Sequence, residues 1–416
     1  MITFPSLNAN QYKIDRIKKY SAFRDFINQS SPQALNPASA TYSYGPNLII
    51  DRDNTAINKN ATYFNSAGNI TLIANYNDPR FEYDPVNVGT FKGLLIEDGR
   101  NNYILNANIN GTHSLSSTAT TISNLVANTT YTLSFYTTLS RSVAASASVE
   151  LVGTIVAGVP TSLPTTTTTL TASASSRLFG NKFSYNFTLG NATSITIRVA
   201  SGTIFYPQIE NKSNSTSFIV TTGATAPVSR GSEKIYFGTA INTFVYSFYN
   251  QGPGSAFVEM DRVSSTLAGT AGLNFWNAGV LDKIQSTFYG AKNSASTSFI
   301  YLQTPSANYS RPKILARVNS VDTIQLTSQT DILSGVIRLA SSYADIASRT
   351  SVYINGSLLV DPSPLDQGIL PTDVVRIYVG CSASDMINGY LRKFAYWPFL
   401  LSGSELLKLS NNTSGI

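Results

Sequence analysis

The stretch from Arg80 to Tyr103, RFEYDPVNVGTFKGLLIEDGRNNY, constrains the rest of the chain more than any other. Phe81 and Tyr83 alternate with Glu82 and Asp84, the period-two pattern of a half-buried strand. Asp84-Pro85 ends that strand, since proline has no amide to give a ladder, and Gly89 and Gly93 bracket a turn before the apolar run Leu94, Leu95 and Ile96. Glu97, Asp98 and Arg100 follow as a small charge cluster. Local physics predicts a strand, a turn and a buried strand that ends among charges.

Beyond Tyr103 the chain reads as β-structure. Thr130 to Thr137 (TYTLSFYT), Ala147 to Leu151, Phe183 to Phe187 and Ser194 to Val199 alternate apolar with polar residues, separated by turn formers. Further on, Asn355-Gly356 sits between two apolar runs in SVYINGSLLV, a sequence suited to a type I′ hairpin. Near the end, Tyr390, Arg392 and Phe394 alternate with Leu391, Lys393 and Ala395. Pro398 breaks that strand, and Ser402 or Ser404 can cap a short helix carrying Leu406, Leu407 and Leu409. Only 12% of residues are charged, which suits sandwiches with uncharged polar faces better than helical bundles. Hydrophobic residues make up 42% and aromatics 11%, too much for a disordered chain.

The expected fold is therefore mainly β: two antiparallel β-sandwich domains after a short N-terminal helical adaptor. Residues 1–35 are read as the adaptor, because Tyr12, Ile14, Ile17, Phe23, Phe26 and Ile27 fall near helical spacing until Pro32 and Pro37. Such a helix either packs on its own domain or serves as a docking or trimerising element. Residues 36–103 form a strand-and-loop region, 104–227 the first sandwich and 228–416 the second. The join from Pro227 to Ser232 is expected to be an exposed linker.

Several function classes are disfavoured. The net charge of +6 is spread thinly, and the nearest basic group, Lys13, Arg16, Lys18, Lys19 and Arg24, reads as a solvated helix face, so no nucleic-acid partner is expected. A single cysteine, Cys381, allows no intrachain disulfide and no cysteine-based zinc site. Neither a signal peptide nor an apolar run long enough for membrane insertion is found. Triplets such as Asn60 to Thr62 and Asn355 to Ser357 are then read as chance rather than as glycan sites. No phosphate-cradling or dinucleotide motif occurs, and no cofactor is expected.

The wording of the first stretch is more specific than its physics. Pro79, Arg80, Phe81, Tyr83, Asp84, Pro85, Gly93, Leu94, Leu95, Ile96, Glu97, Arg100 and Asn101, with ATYFNSAG upstream, resemble a segment of bacteriophage virion proteins, prophage tail fibres above all. There a PRFDYDP-like strand precedes GLLIEEARTN. This chain departs at Asp98-Gly99, usually Glu-Ala, and at Asn102, usually apolar. Residues Ile204 to Arg230, through Pro207, Gln208, Glu210, Ser217, Ile219, Thr222 and Arg230, resemble the closing strand of carbohydrate-binding-type jelly rolls in phage fibres. Ile387 to Leu409 is similar to the end of concanavalin-like, laminin-G-type sandwiches, with Phe399 and Leu400 in place of the usual basic pair. These resemblances imply a virion-associated region at 36–103, a jelly roll at 104–227 and a concanavalin/laminin-G-like domain at 228–416.

Catalysis has one candidate. Glu259-Met260-Asp261 resembles the start of the Glu-X-Asp strand of laminarinase-like glycosidases, but retaining hydrolysis needs a second carboxyl nearby and Val263 and Ser264 stand where it should fall. His113, the only histidine, lies in a turn-like sequence, and Cys381 suits a small buried hydrophobe. Asp51, Asp53, Asp361 and Asp366 are loop-like acids whose spacing fits no calcium loop. For sugar recognition the parts are a stacking aromatic among Asn and Asp side chains. Trp276, flanked by Asn274 and Asn277, is the main candidate, with Tyr301 and Tyr309 behind it; the competing role for Trp276 is core packing. Trp397 is assigned to the core.

The sequence thus implies a non-enzymatic virion protein assembled in the host cytoplasm, a tail fibre or host-attachment component that binds a host surface glycan. Other virion proteins would be its partners through the N-terminal region, in a homotrimer. A head fibre or capsid-decorating protein and a depolymerising tailspike are the alternatives.

Overall fold

The computed structural model describes residues 22–25, 48–52, 60–75, 78–85, 87–106, 114–115, 119–136, 147–152, 168–170, 182–211, 215–237, 252–262, 274–279, 299–303, 313–327, 335–346, 349–361, 364–371, 376–380 and 389–413. The chain is mainly β, with antiparallel pairing, and divides into two compact units. One takes residues 51–233 and 263–270; the other takes 1–50, 234–262 and 271–416.

The 51–233 unit holds β3 (Thr62–Phe64), β4 (Ile70–Leu72), β5 (Phe81–Tyr83), β6 (Phe91–Ile96), β7 (Arg100–Asn102), β8 (Ser114–Leu115), β9 (Ala119–Ile122) and β10 (Thr130–Tyr136). It continues with β11 (Ala147–Val152), β12 (Thr168–Leu170), β13 (Lys182–Thr188), β14 (Ile195–Ser201), β15 (Ile204–Glu210) and β16 (Val228–Arg230). Two four-stranded sheets, in the orders β13-β10-β15-β8 and β12-β11-β14-β9, face each other. Tyr131, Leu133 and Phe135 of β10 meet Val149, Leu151, Ile195, Ile197 and Val199 of the other sheet in one core. Alternation along each strand sends these residues inward, and their burial drives the packing.

The polar side of β10 and β15 is buried as well. Thr132, Ser134, Gln208 and Glu210 are at most 1% exposed, because a second layer covers them. Thr216 N donates to Glu210 Oε2 at 3.0 Å and Ile219 N to Gln208 Oε1 at 2.7 Å. Outside that strip, Thr62 Oγ1 donates to Phe218 O at 2.6 Å and Asn102 Nδ2 to Ile219 O at 3.0 Å. The β5–β6 hairpin, with Phe81 opposite Leu94 and a register shift between Glu82 and Tyr83, belongs to the same layer. Its β5 is buried at all three positions, rather than half-buried as its alternation predicts.

The expected linker from Pro227 to Ser232 is corrected here. β16 pairs with β7 through Val228 and Asn102, Ser229 and Asn101, and Arg230 and Arg100. Arg230 and Glu233 are 1% exposed. A Cβ on Gly99 would lie 3.0 Å from Ser232 N, so the backbones meet closely at this glycine.

The other unit holds β1 (Ala22–Asp25), β2 (Leu48–Asp51), β17 (Lys234–Phe237), β18 (Gly254–Arg262), β19 (Asn274–Gly279), β20 (Phe299–Gln303), β21 (Lys313–Val318) and β22 (Val321–Thr327). It ends with β23 (Gly335–Tyr343), β24 (Ser351–Ile354), β25 (Ser357–Leu358), β26 (Leu365–Asp366), β27 (Arg376–Val379), β28 (Gly389–Trp397) and α1 (Gly403–Ser410). One sheet runs β25-β24-β23-β18-β28, with β1 also on β28, and the second runs β2-β17-β27-β19-β20-β21-β22-β26. Asn355 at φ 45° and Gly356 at φ 83° form the tight turn between β24 and β25.

Residues 22–25 correct the N-terminal expectation. They form a strand, with Phe23 opposite Ala395, and not part of a helix; ladder bonds to β28 override a helical spacing of apolar residues. The other residues of that expected helix lie outside the described ones. The closing helix forms as expected. Ser402 caps α1, and Glu405 returns the bond in a capping box. Leu406 and Leu409 pack with Phe257, Ala395 and Trp397, while Leu407 stays exposed.

Candidate functional site

The most distinctive group of side chains is a buried ionic network inside the 51–233 unit. Arg80 enters just before β5 and is 0% exposed. Its Nε donates to Glu233 Oε1 at 2.7 Å, its Nη2 also bonds Glu233, and its Nη1 donates to Glu97 Oε2 at 2.7 Å, Ser217 Oγ at 2.6 Å and Thr62 O at 3.0 Å. Arg52 reaches the same Glu233 carboxylate, Nη2 to Oε1 at 2.7 Å. Arg230 Nη1 lies 2.9 Å from Glu97 Oε2 and donates to Ser217 Oγ at 2.7 Å. Ser217 gives its own amide and hydroxyl to Glu97, at 2.7 and 2.6 Å. Beside this group, Arg100 Nη1 donates to Asp98 Oδ2 at 2.8 Å and its Nε lies 4.0 Å from Glu210.

The electrostatics follow from that geometry. Burial opposes the charge on Glu97, but Arg230, Arg80 and the Ser217 hydrogen bond outweigh it and bring the carboxyl down to about 2. Glu233 is likewise lowered, with Arg80 and Arg52 overcoming burial. For Arg80, burial is again opposed by Glu233 and Glu97, and the net direction is upward. Arg52 and Arg230 go the other way, since burial dominates. Such a network, closed to solvent, binds no ligand from outside. Its physical effect is to fix the second layer in one position on the sandwich.

Two resemblances drawn from separate stretches meet in this network and the contacts beside it. Arg80, Glu97 and Arg100 come from the first; Gln208, Glu210, Ser217 and Arg230 come from the second. Sequence reasoning missed Arg52 and Glu233, which belong to neither phrase. In a chain so poor in charge, each such residue flanking an apolar strand is a signal that it has an ionic partner.

The residues proposed for sugar binding lie in the other unit. Asn274, Trp276 and Asn277 are on β19 and Tyr301 is on β20. The register sets Asn277 opposite Tyr301 and Trp276 opposite Leu302, with a bulge between Asn274 and Trp276. Tyr309, His113, Cys381 and Asp53 lie outside the described residues. Trp397 is core, at 0% exposure, as the sequence suggests. Glu259 Oε2 accepts from Arg338 Nε at 3.0 Å, and its Oε1 lies 3.4 Å from Arg392 Nε. Asp361 Oδ2 accepts from the Thr327 amide at 2.7 Å. Among the described residues no group of three or more His, Cys, Asp or Glu could hold a metal ion, and no helix is long and apolar enough to cross a membrane.

No protein-family model matches the chain, and no curated protein matches it in sequence. Among solved structures, a leech intramolecular trans-sialidase complexed with 2,7-anhydro-Neu5Ac gives a TM-score of 0.31 at 12% identity, over 42% of this chain and 26% of that one. The CBM40 of a Ruminococcus gnavus IT-sialidase bound to α2,3 sialyllactose gives 0.30 at 13% identity, over 40% of this chain and 86% of that one. The binding domain of Botulinum neurotoxin DC in complex with rat synaptotagmin II gives 0.31 at 10% identity, over 44% and 40%. Likenesses this slight transfer neither a ligand nor a role to this chain.

Proposed function

We propose that this chain is a bacteriophage virion protein, a tail fibre or other host-attachment component, that binds a cell-surface glycan without cleaving it. The observation that supports the reading best is the meeting of the two fibre-like phrases in one buried network and the contacts beside it. Seven residues that carry those resemblances, Arg80, Glu97, Arg100, Gln208, Glu210, Ser217 and Arg230, hold one layer of the 51–233 unit to its sandwich, with Gln208 joined to Ser217 O and to the Ile219 amide. A unit tied in this way suits a rigid spacer between a virion anchor and a receptor-binding end. The N-terminal region then contacts other virion proteins, the chain acts as a homotrimer, and the unit containing β19 and β20 meets the glycan.

Non-hydrolytic action is supported by Glu259, a buried carboxylate whose two oxygens face Arg338 and Arg392. A glycosidase acid must carry and deliver a proton. The test is binding of the purified full chain to the host cells of the phage that encodes it, before and after periodate oxidation of surface sugars. Saturable binding that periodate removes, with no oligosaccharide released, is expected. Binding indifferent to periodate overturns the glycan reading, and release of oligosaccharide overturns the non-hydrolytic one.

A further inference from the structure

Glu82 lies at the middle of β5 with 0% exposure; among the described residues no cationic side chain forms an ion pair with it, and the Phe64 backbone is the polar donor beside its carboxyl. The nearest cation in sequence, Arg80, already donates to Glu233, Glu97, Ser217 and the Thr62 carbonyl. The other titratable groups acting on Glu82 oppose its ionisation or do not offset it. Glu97 and Glu233 are carboxylates of the same sign, and Tyr63 of β3 and Tyr136 of β10 are phenols. Tyr136 packs with Phe64, Phe205 and Tyr206 in a small apolar cluster between β3 and the sandwich. An ionised carboxylate in such a place costs far more than a neutral acid, because burial keeps it from bulk solvent and no cation pairs with it.

We propose that Glu82 is a proton-held latch: the layer built on β3, β5 and β6 stays seated on the sandwich while Glu82 is a neutral acid, and loss of its proton to water unseats that layer. The direction agrees with its surroundings. Burial pushes the Glu82 carboxyl well above the usual range, Arg80 opposes this, Glu97 adds to it, the Phe64 backbone opposes and Glu233 adds. A carboxyl raised in the folded state stabilises fold and layer most at low pH. That contribution declines as pH rises from the free carboxylate range toward the folded-state value.

The test uses the full chain and Glu82→Gln, which keeps the shape and removes the charge. Hydrogen exchange of amides in residues 60–103 is compared between the two proteins at matched pH from 5 to 8. The opening equilibrium of the native chain relative to Glu82→Gln should rise with pH, by up to about tenfold per pH unit while the folded acid keeps its proton. A ratio that stays constant overturns the latch. Infrared absorption of the native chain gives a second readout that does not depend on the variant folding. A protonated carboxyl band persisting above the ordinary carboxylate range is expected, and its absence overturns the proposal.

Discussion

Arg80 Nη1 donates to Glu97 Oε2 at 2.7 Å across 17 residues of chain, with both side chains closed to solvent. That bond joins the entrance of the β5–β6 hairpin to its exit, and Ser217 and Arg230 attach both to the far end of the unit. Removing the Glu97 charge leaves Arg230 buried without its carboxylate and Arg80 with Glu233 alone. Glu97→Gln should therefore destabilise the 51–233 unit by roughly 3–5 kcal/mol in urea unfolding, far beyond a surface substitution. A loss below about 1 kcal/mol would mean that the network relaxes freely.

Acid should act on the same group. Glu97 is held at about 2 and Glu233 is also lowered, so both contribute stability above the ordinary carboxylate range that is lost as pH falls toward 2. Glu82 does not blunt this limb, since below that range it is protonated whether folded or not. Unfolding followed from pH 5 to pH 2 should show a steep decline in the native chain and a shallower one in Glu97→Gln. Parallel slopes would remove Glu97 from the cause.

Limited proteolysis should spare residues 228–233 while the chain is native. Their backbone pairs with β7 and their Arg230 and Glu233 are buried. Fragment mapping by mass spectrometry checks this; early cleavage between Pro227 and Lys234 would contradict the pairing.

Gly356 has φ 83°, and a Cβ there would fall 1.7 Å from Asn411 Oδ1. Gly356→Ala should lower stability by about 1 kcal/mol or more, through the left-handed backbone and the displaced Asn411 side chain together. Thermal unfolding of the full chain reads it, and an unchanged midpoint would show that the turn can rearrange.

Much of the fold was legible because its signals are local. The TYTLSFY alternation gives β10, Asn355-Gly356 gives its hairpin, and Ser402 with Glu405 gives a capped helix. The buried polar side of β10 was not legible. Thr132 and Ser134 read as solvent-facing until a layer distant in sequence covers them, and no local pattern announces that cover. The same limit hid the burial of Glu82 and the ionic contacts of Arg230, and it made residues 227–232 resemble a linker. At Ala22–Asp25 a helical spacing gave way to pairing with β28, again a contact set far away in the chain. As for the site, the register brings Asn277 opposite Tyr301, a pairing that sequence spacing alone does not contain.

The central claim, attachment through a surface glycan, is tested most directly by competition. Under the proposed reading, host cells are preincubated with the purified full chain, and adsorption of a phage carrying it is then counted. If the chain acts as a trimer, avidity from several shallow sites should make it block adsorption at concentrations about a hundredfold below those needed by a monomeric form. Trp276→Ala should block poorly. The account predicts dose-dependent loss of adsorption with the native chain; adsorption unchanged at saturating protein would contradict it.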